Sequence, residues 1–184
     1  MGKVVLNLTM SLDGFIHDQN GSVGSLYPDL EDLRNSEALK ESIRTTGAVV
    51  MGRGAFDMGD PDMYADHYEY QVPIFVLTRN IPQKRPRQTE KLTITFITDG
   101  IDSAISQAKA AAGNRNVTII GGASIAQQCL RAGLLDEIHM DIMPILFGSG
   151  LRPFEQISEQ SIKLEKIAVM ETSIRTHLKF RVVK

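Results

Sequence analysis

Glycine, arginine and threonine residues follow three apolar, strand-like runs, and these are the positions in the chain best suited to chemistry. The three runs lead into Gly52-Arg53, Thr78-Arg79 and Gly121-Gly122. In open α/β sheets, ligands bind beyond the carboxyl ends of the strands. A glycine-rich turn from a strand into a helix presents backbone N–H groups and the positive helix end to a phosphate. The three turns therefore predict a binding site for a phosphate-bearing ligand.

The two arginines extend this hypothesis, because Arg53 and Arg79 could bind further phosphate charge, such as the 2′-phosphate of NADP. Each feature also has a purely structural interpretation. Gly121-Gly122 is equally typical of tight packing, and Arg79 alone is typical of a solvated surface. The sequence contains neither G-x-G-x-x-G nor G-x-x-x-x-G-K-[ST]. The standard dinucleotide-binding fingerprint and a P-loop nucleotidase are therefore excluded.

The hydrophobic pattern predicts an alternating α/β chain that brings these turns together. Apolar runs typical of strands buried on both faces of a parallel sheet lie at 48–51, 74–77 and 117–120. Further strands are predicted at 3–10, 92–96 and 137–142, and helices at 29–45, 101–112 and 123–132. Asp29 and Ser36 both resemble N-caps, which favours two short helices in the first stretch. Asp99 is expected to cap the helix that Gly113 ends.

The C-terminal part differs from the middle of the chain. Residues 174–182 alternate between polar and apolar, and a second strand-like stretch covers 162–170. The short gap between them predicts an antiparallel hairpin. The sequence thus predicts a mostly parallel sheet with an antiparallel edge.

Composition limits the classes of protein that remain. The 184 residues predict a single domain over 1–184, and the net charge of −2 predicts no nucleic-acid partner. The single cysteine, Cys129, excludes an internal disulfide and a cysteine-rich zinc site, and we expect it to be buried and inert. There is no signal-peptide pattern and no apolar run of membrane length. A cytoplasmic protein without a membrane partner is expected.

Ordered motifs along nearly the whole chain together resemble a known family. They are Ser11-Leu12-Asp13-Gly14-Phe15-Ile16, Gly47-Ala48-Val49-Val50-Met51-Gly52-Arg53, Val76-Leu77-Thr78-Arg79, Gly121-Gly122-Ala123-Ser124, and Asp136-Glu137-Ile138-His139 continuing to Gly148-Ser149-Gly150. In this order they resemble the reductase domain of the bifunctional riboflavin-biosynthesis deaminase-reductase, which is similar in fold to dihydrofolate reductase. The resemblance implies a three-layer α/β sandwich with a mostly parallel central sheet and a C-terminal antiparallel hairpin.

The resemblance also implies a function, namely an NADPH-dependent reductase that transfers a hydride to a small pterin-like or ribosylamino-pyrimidine substrate. Carried over by position, the cofactor would be bound by Gly52, Arg53, Thr78, Arg79, Gly121, Gly122, Ala123 and Ser124, with the two central glycines at the pyrophosphate and Arg79 at the 2′-phosphate. The nicotinamide or substrate would be bordered by Thr9, Asp13 and Ile16, and the far side of the substrate cleft closed by Pro144, Gly148 and Gly150. The family resemblance further implies a homodimer, although an ordinary monomer core explains the same apolar residues.

One turn departs from the resembled family. That family often has G-R-x-T-[YF]-E where this chain has residues 52–57, with Ala55 in place of the threonine and Asp57 in place of the glutamate. A missing hydrogen bond to a charged group costs about 1.5–3 kcal/mol. We therefore expect weaker NADPH binding or greater reliance on backbone donors.

The deaminase half of the bifunctional enzyme has no counterpart in the chain. Its zinc site needs H-x-E paired with P-C-x-x-C. His67-Tyr68-Glu69 matches the first pattern, but the single Cys129 cannot supply the second. Zinc deamination is excluded, and a stand-alone reductase-like domain without a metal is expected.

Reduction of a C=N bond needs a proton as well as a hydride, and the sequence leaves the proton donor open. Asp32 begins the first helical stretch with Asp29 and Glu31, where acids are also typical of capping and of the helix dipole. Asp13 is the other candidate, although Asp-Gly is equally typical of a turn. His139 and His177 fall on predicted strands and are interpreted as structural or solvated.

A second function remains open, namely a non-catalytic nucleotide- or pterin-binding module on the same fold. Ala55 and the uncertain proton donor favour it. In either case the expected partner is a small molecule. Two long loops could contribute, one with three tyrosines at 59–72 and one basic at 79–91, since long loops in a compact domain are often functional. The first is interpreted as a lid or as a solvated loop.

Overall fold

The computed structural model describes residues 2–155, 157 and 161–184, and these contain an eight-stranded sheet. The strands are β1 Val4–Ser11, β2 Thr46–Gly52, β3 Ile74–Leu77, β4 Ile94–Ile97, β5 Asn116–Ile120, β6 Glu137–Met143, β7 Leu164–Glu171 and β8 Thr176–Val182. Their order across the sheet is β4-β3-β2-β5-β1-β6-β8-β7. The chain therefore crosses over repeatedly, as strands separated by helices do in α/β folds.

Strand direction brings most strand ends to one edge of the sheet. β1 to β6 are all parallel, so their carboxyl ends lie together. β8 runs antiparallel to both β6 and β7. Because of that reversal, β8 begins at the same edge, where Thr176 pairs with Ile142. The predicted mostly parallel sheet with a C-terminal antiparallel hairpin is confirmed.

Helices cover both faces of the sheet and complete three layers. They are α1 Leu30–Asn35, α2 Glu37–Thr45, α3 Arg53–Phe56, α4 Tyr64–His67, α5 Ile101–Ala112 and α6 Ala123–Arg131. α5 and α6 bury one face in a core that includes Val4 and Leu6. On the other face, Leu39 and Ile43 of α2 pack against a second cluster around β2 and β3. In the described part of the chain, no helix has the length and apolar character needed to cross a membrane.

The helix ends agree with the sequence at Ser36 and Gly113 but not at two acids. Ser36 separates α1 from α2, and its hydroxyl accepts a hydrogen bond from the N–H of Leu39 at 3.2 Å. Asp29 occupies the N-cap position of α1, but the predicted capping by its side chain is wrong because the carboxylate binds Arg175 instead. The predicted cap at Asp99 is also wrong. Gly100 holds that position with φ 108°, a conformation that favours glycine.

The segments 59–72 and 79–91, predicted as long loops, pack against each other. The first contains a 3₁₀ turn and α4. Asp62 pairs with Lys84 and also accepts a hydrogen bond from the N–H of Arg87 at 2.9 Å. The guanidinium of Arg87 reaches Asp66 at 2.7 Å. Acidic residues of one segment thus bind basic residues of the other, and together they flank the edge where the strands end.

Candidate active site

A cleft of about 640 Å³ lies on the second face of the sheet, toward the carboxyl ends of the central strands. Its floor comes from β1, β5, β6 and β8, and it is covered by α1, α2 and the segment 59–72. The volume falls within the range of about 300–1,000 Å³ typical of small-molecule sites. Apolar and aromatic side chains make up most of the lining. The few polar groups are therefore the ones that can orient a ligand.

Polar side chains on the cleft floor form two rows across β1, β6 and β8. Strand pairing places them opposite one another as Thr9–Asp141–His177 and Asn7–His139–Lys179. Residues opposite each other on paired strands share a face of the sheet. Both rows therefore face the cleft, at positions where a sheet face covered by helices is ordinarily apolar.

A buried ion pair anchors the first of these rows. Arg175 donates through Nε to Asp29 at 2.8 Å, contacts the other oxygen of Asp29 through Nη2, and donates through Nη1 to Asp141 at 3.0 Å. The second oxygen of Asp141 lies 2.5 Å from Nδ1 of His177. The hydrogen bond from Arg175 lowers the pKa of Asp29 below its ordinary value. Asp141 thus contacts the imidazole directly, and Arg175 and Asp29 hold Asp141 in place.

Three buried side-chain atoms of the described residues lack a hydrogen-bond partner, and all three belong to the cleft lining. They are Oδ1 of Asn7, the hydroxyl of Tyr68 and Nε2 of His177. An unpaired buried polar group costs about 1–3 kcal/mol, so such groups are rare in native proteins. Nδ2 of Asn7 donates to Ser42 at 3.1 Å, which fixes the amide orientation. A ligand with both donors and acceptors would satisfy all three atoms.

Tyrosines of the segment 59–72 form one wall of the cleft. The rings of Tyr64 and Tyr68 lie 4.8 Å apart, and those of Tyr68 and Tyr70 lie 5.7 Å apart. Burial raises the pKa of Tyr68 well above its ordinary value. The hydroxyls of Tyr70 and Ser42 are hydrogen-bonded at 2.9 Å. The tyrosines are thus packed side chains in the wall of the cleft.

Gly121 and Gly122 line the cleft between β5 and α6, as the sequence analysis expects of a ligand-binding turn. Their φ angles are 69° and 83°, in the region that favours glycine. A Cβ at Gly121 would lie 3.1 Å from Cβ of Ala55, so Ala55 packs directly against this turn. Among the described residues, no side chain caps the start of α6. The N–H groups of its first turn are therefore open to an anion.

Arg53, Thr78 and Arg79 lie beside one another, because β2 and β3 are parallel neighbours. Arg53 donates through Nε to Asp57 at 2.6 Å and through Nη1 to the carbonyl of Asn80 at 3.5 Å. The hydroxyl of Thr78 donates to the same carbonyl at 2.9 Å, and Arg79 is exposed. The structure brings these three predicted residues together at the sheet edge, next to the cleft.

The remaining predicted cofactor residues lie at the junction of β2 and α6. A Cβ at Gly52 would approach Cγ1 of Ile125 to 3.1 Å, so this glycine permits close packing. Ala123 is buried, and Ser124 is exposed with its hydroxyl bound to Gln128 at 3.0 Å. Of the eight residues predicted to bind the cofactor, the cleft lining contains Gly121 and Gly122, and it also contains Thr9 and Ile16, which are predicted to border the nicotinamide.

Asp13 joins two loops at the edge of the cleft. Its carboxylate accepts hydrogen bonds from the hydroxyl of Ser11 at 2.6 Å, the N–H of Phe147 at 3.1 Å and the N–H of Gly148 at 2.7 Å. The Ser11 hydrogen bond, with help from the backbone, lowers the pKa of Asp13. An ionised carboxylate held by three donors favours the turn interpretation of Asp13 over a role as proton donor.

The predicted substrate residues Pro144, Gly148 and Gly150 are exposed in the loop that follows β6. This loop runs along the loop after β1, and Gly150 pairs with Asp18 in an isolated bridge. A Cβ at Gly150 would lie 2.0 Å from the carbonyl oxygen of His17, so only glycine allows this approach. The loop pair closes one side of the cleft through Ile16, His17 and Leu151.

The sequence did not identify the polar and titratable residues of the cleft floor as candidates for the site. The sequence predicts a structural or solvated role for His177, whose Nε2 is instead an unpartnered atom of the cleft lining, and Asp32, a predicted catalytic acid, is exposed on α1. The available signal was polar residues at alternate positions of a buried strand, as at His139 and Asp141. No local sequence pattern predicts the ion pair between Asp29 and Arg175, because the two residues are 146 positions apart in the chain.

Comparisons with known proteins agree with this fold. A protein from Shewanella sp. PV-4 assigned to riboflavin biosynthesis is 24% identical, with a TM-score of 0.80 and 99% of each chain covered. The diaminohydroxyphosphoribosylaminopyrimidine deaminase/5-amino-6-(5-phosphoribosylamino)uracil reductase of Thermotoga maritima is 16% identical with a TM-score of 0.71, and 99% of this chain covers 57% of that one. Dihydrofolate reductase from Enterococcus faecalis, solved with NADP(H), is 16% identical with a TM-score of 0.62, covering 100% and 98% of the two chains.

At these identities the solved structures establish the fold, and the family rests on a separate match. The model of the RibD C-terminal domain matches residues 2–178, nearly the whole chain. The motifs singled out from the sequence all fall inside that span. The resemblance inferred from those motifs is confirmed: this protein belongs to the RibD C-terminal domain family.

Proposed function

We propose that this protein is an NADPH-dependent reductase that transfers a hydride to a small pterin-like or ribosylamino-pyrimidine substrate. The proposal rests on one observation about the described residues: the same cleft contains both the start of α6, which no side chain caps, and three polar atoms without a hydrogen-bond partner. The named relatives from Thermotoga maritima and Enterococcus faecalis are reductases, which supports an oxidoreductase activity.

The chain offers a binding group for each phosphate of the cofactor. Gly121, Gly122 and the open N–H groups of α6 would hold the pyrophosphate. Arg53, Thr78 and Arg79 lie together at the neighbouring strand ends and would bind the 2′-phosphate. When bound, the cofactor supplies the hydride, and the protein supplies orientation and electrostatics.

The cleft floor leaves room for the nicotinamide between the glycine turn after β5 and His177 on β8. β5 and β8 are three strand spacings apart, or about 14 Å. Thr9 and Ile16 line the part in between and would border the nicotinamide. The substrate would then lie against Asn7, Tyr68 and His177, whose unpaired atoms can bind the ring nitrogens and carbonyls of a pterin or pyrimidine.

Calorimetric titration with NADPH and NADH tests the proposal. Saturation with NADPH at about 100 times its dissociation constant should stabilise the fold by about 2.7 kcal/mol. Arg79→Ala should weaken NADPH binding about ten- to a hundred-fold and NADH binding far less, because only NADPH carries the 2′-phosphate. Lys91→Ala, an exposed cation of the same segment, is the control. Equal losses for both nucleotides would refute the 2′-phosphate assignment, and failure of both to bind would refute the function.

A non-catalytic binding module is the second candidate. Ala55 favours it, because the turn between β2 and α3 lacks the hydroxyl of the resembled family's threonine and packs against Gly121 instead. Substrate-dependent oxidation of NADPH by the purified protein excludes this candidate. Binding of nucleotide and pterin without oxidation would support it.

A further inference from the structure

His177 presents one free ring nitrogen to the cleft. The residue is 6% exposed, and its Nδ1 lies 2.5 Å from Oδ1 of Asp141. A carboxylate only accepts hydrogen bonds, so Nδ1 carries the hydrogen of this contact. Nε2 is buried and has no partner in the residues that the structure describes. Nε2 is therefore the nitrogen that can donate a proton in the imidazolium form and is left bare in the neutral form.

The contacts on the Nδ1 side of the ring fix the orientation of this imidazole. Oδ2 of Asp141 accepts a hydrogen bond from Arg175 at 3.0 Å, and Arg175 is held on its other side by both oxygens of Asp29. The side chains of Arg175 and Asp29 are 1% and 5% exposed. The unpaired buried nitrogen lowers the stability of the fold by about 1–3 kcal/mol, so stability does not explain this arrangement. The arrangement fits a group that must meet a ligand at one defined angle.

Groups from every neighbouring element surround the imidazole. β6 contributes Asp141, the β7–β8 turn contributes Arg175, and the segment before α1 contributes Asp29. On β7 the residue paired with His177 is the uncharged Met170. Beyond these lie Tyr27, whose pKa burial raises, and the paired groups His139–Glu137 and Lys179–Glu41. The two carboxylates and the guanidinium of this network carry a net charge of −1 beside the ring.

We propose that His177 is the proton donor of this reductase, with Asp141 and Arg175 as positioning residues; the inference rests on the function proposed above. Both substrate classes offer a C=N bond, in 7,8-dihydropterin or in the ring-opened imine of a ribosylamino-pyrimidine. The carbon receives the hydride and forms a C–H bond, the π electrons move to nitrogen, and that nitrogen takes the proton from Nε2. NADPH becomes NADP⁺, and His177 is left neutral until water returns a proton.

The acids named from the sequence are less well placed. Asp13 is ionised and occupied by three donors, and Asp32 is exposed on α1. Asp29 is buried, but Arg175 binds both of its oxygens and lowers its pKa. Among the described cleft residues, His177 and Tyr68 each have an unpartnered buried atom that can donate a proton, and burial raises the pKa of Tyr68 well above its ordinary value.

His177→Asn tests the proposal in single-turnover oxidation of NADPH with 7,8-dihydropterin and, separately, 5-amino-6-(5-phosphoribosylamino)uracil. The amide can keep the hydrogen bond to Asp141 but has no group at the Nε2 position. We expect the rate to fall about 10²–10⁴-fold, the usual contribution of a general acid, with NADPH affinity unchanged. His67→Asn, exposed on α4, is the matched control.

A second measurement does not depend on turnover. With ring-¹⁵N histidine, the Nε2 signal assigned to His177 should shift when 7,8-dihydropterin is added to the protein saturated with NADP⁺. Asp141→Asn should broaden or move the Nδ1 signal, because the fixed acceptor is altered. The titration with 7,8-dihydropterin uses the wild-type protein, so it remains decisive where His177→Asn fails to fold.

The outcomes separate the two proposals. Wild-type rates in His177→Asn, or dihydropterin binding that leaves the Nε2 signal unmoved, would overturn the proton-donor assignment while the reductase function stands. Failure of NADPH and both substrates to bind the wild type would overturn the function and the inference together. A rate loss confined to His177→Asn, with the Nε2 shift present, supports both.

Discussion

Replacing Asp29 by asparagine should destabilise the fold strongly, because it removes a charge from a buried ion pair. The side chains of Asp29 and Arg175 are 5% and 1% exposed, so water cannot replace the lost carboxylate without rearrangement. Breaking a buried pair by removing one partner costs about 3–5 kcal/mol. Arg175 keeps its hydrogen bond to Asp141 at 3.0 Å, and the new amide can still accept from Nε. We therefore expect a loss near the lower end, about 3 kcal/mol.

The same substitution should change the pH dependence of stability. The hydrogen bond from Arg175 holds the folded-state pKa of Asp29 below its ordinary value of 3.8. The contribution of this group is then fully present above that value and is lost as the pH falls through the folded-state pKa. The difference in unfolding free energy between wild type and Asp29→Asn should therefore shrink on acidification below about pH 4.

Urea unfolding followed by circular dichroism measures this difference, since the chain has no tryptophan for fluorescence. Glu31→Gln, exposed in the first turn of α1, is the matched control and should cost less than about 1 kcal/mol. Asp29→Leu combined with Arg175→Met should recover only part of the loss, because it removes both charges of the pair but also takes the guanidinium away from Asp141. Wild-type stability in Asp29→Asn, or an unchanged pH dependence, would refute the assignment of this pair as a structural anchor.

Three further substitutions and modifications test other parts of the structure. Gly121→Ala should lower the unfolding free energy by about 1–2 kcal/mol, because φ is 69° and the new Cβ would lie 3.1 Å from that of Ala55; urea titration measures it, and unchanged stability would contradict the turn geometry. Cys129 is buried with its pKa raised to about 12 from 9.0, so iodoacetamide should alkylate it about a thousand-fold more slowly than an exposed thiol; rapid labelling of the native protein would contradict its burial. Asp13→Asn should speed amide exchange at Phe147 and Gly148 if Asp13 joins the loops; abolished hydride transfer with unchanged exchange would instead assign it a catalytic role.

The fold could be predicted from the sequence because its signals are local. Continuous apolar runs gave the parallel strands, clean alternation gave the hairpin, and Ser36 and Gly113 gave helix ends. Asp99 misled because an acid before a helix is normally its cap, whereas the backbone here needs the positive φ of Gly100. Short-range patterns thus predict helices and strands well, but they misplace a helix cap where a neighbouring glycine occupies the N-cap position.

The candidate site was only partly predictable. Gly121-Gly122 combines two local signals, a pair of glycines and a turn from a strand into a helix, and this turn does line the cleft. The substrate end depends on pairing between strands distant in sequence, which places Asp141 beside His177 only once β8 is known to run antiparallel to β6. Asp29 shows the same limit, since its position suggested a cap and its actual partner is Arg175.

The most direct test of the central claim is transfer of deuterium from NADPH labelled at C4 of the nicotinamide. The purified protein is mixed with labelled NADPH and either 7,8-dihydropterin or 5-amino-6-(5-phosphoribosylamino)uracil, and the products are analysed by mass spectrometry. We expect one deuterium on the reduced carbon of the substrate and an equal amount of NADP⁺. Binding of both ligands with no deuterium in the product would contradict the reductase assignment and leave a binding module on this fold.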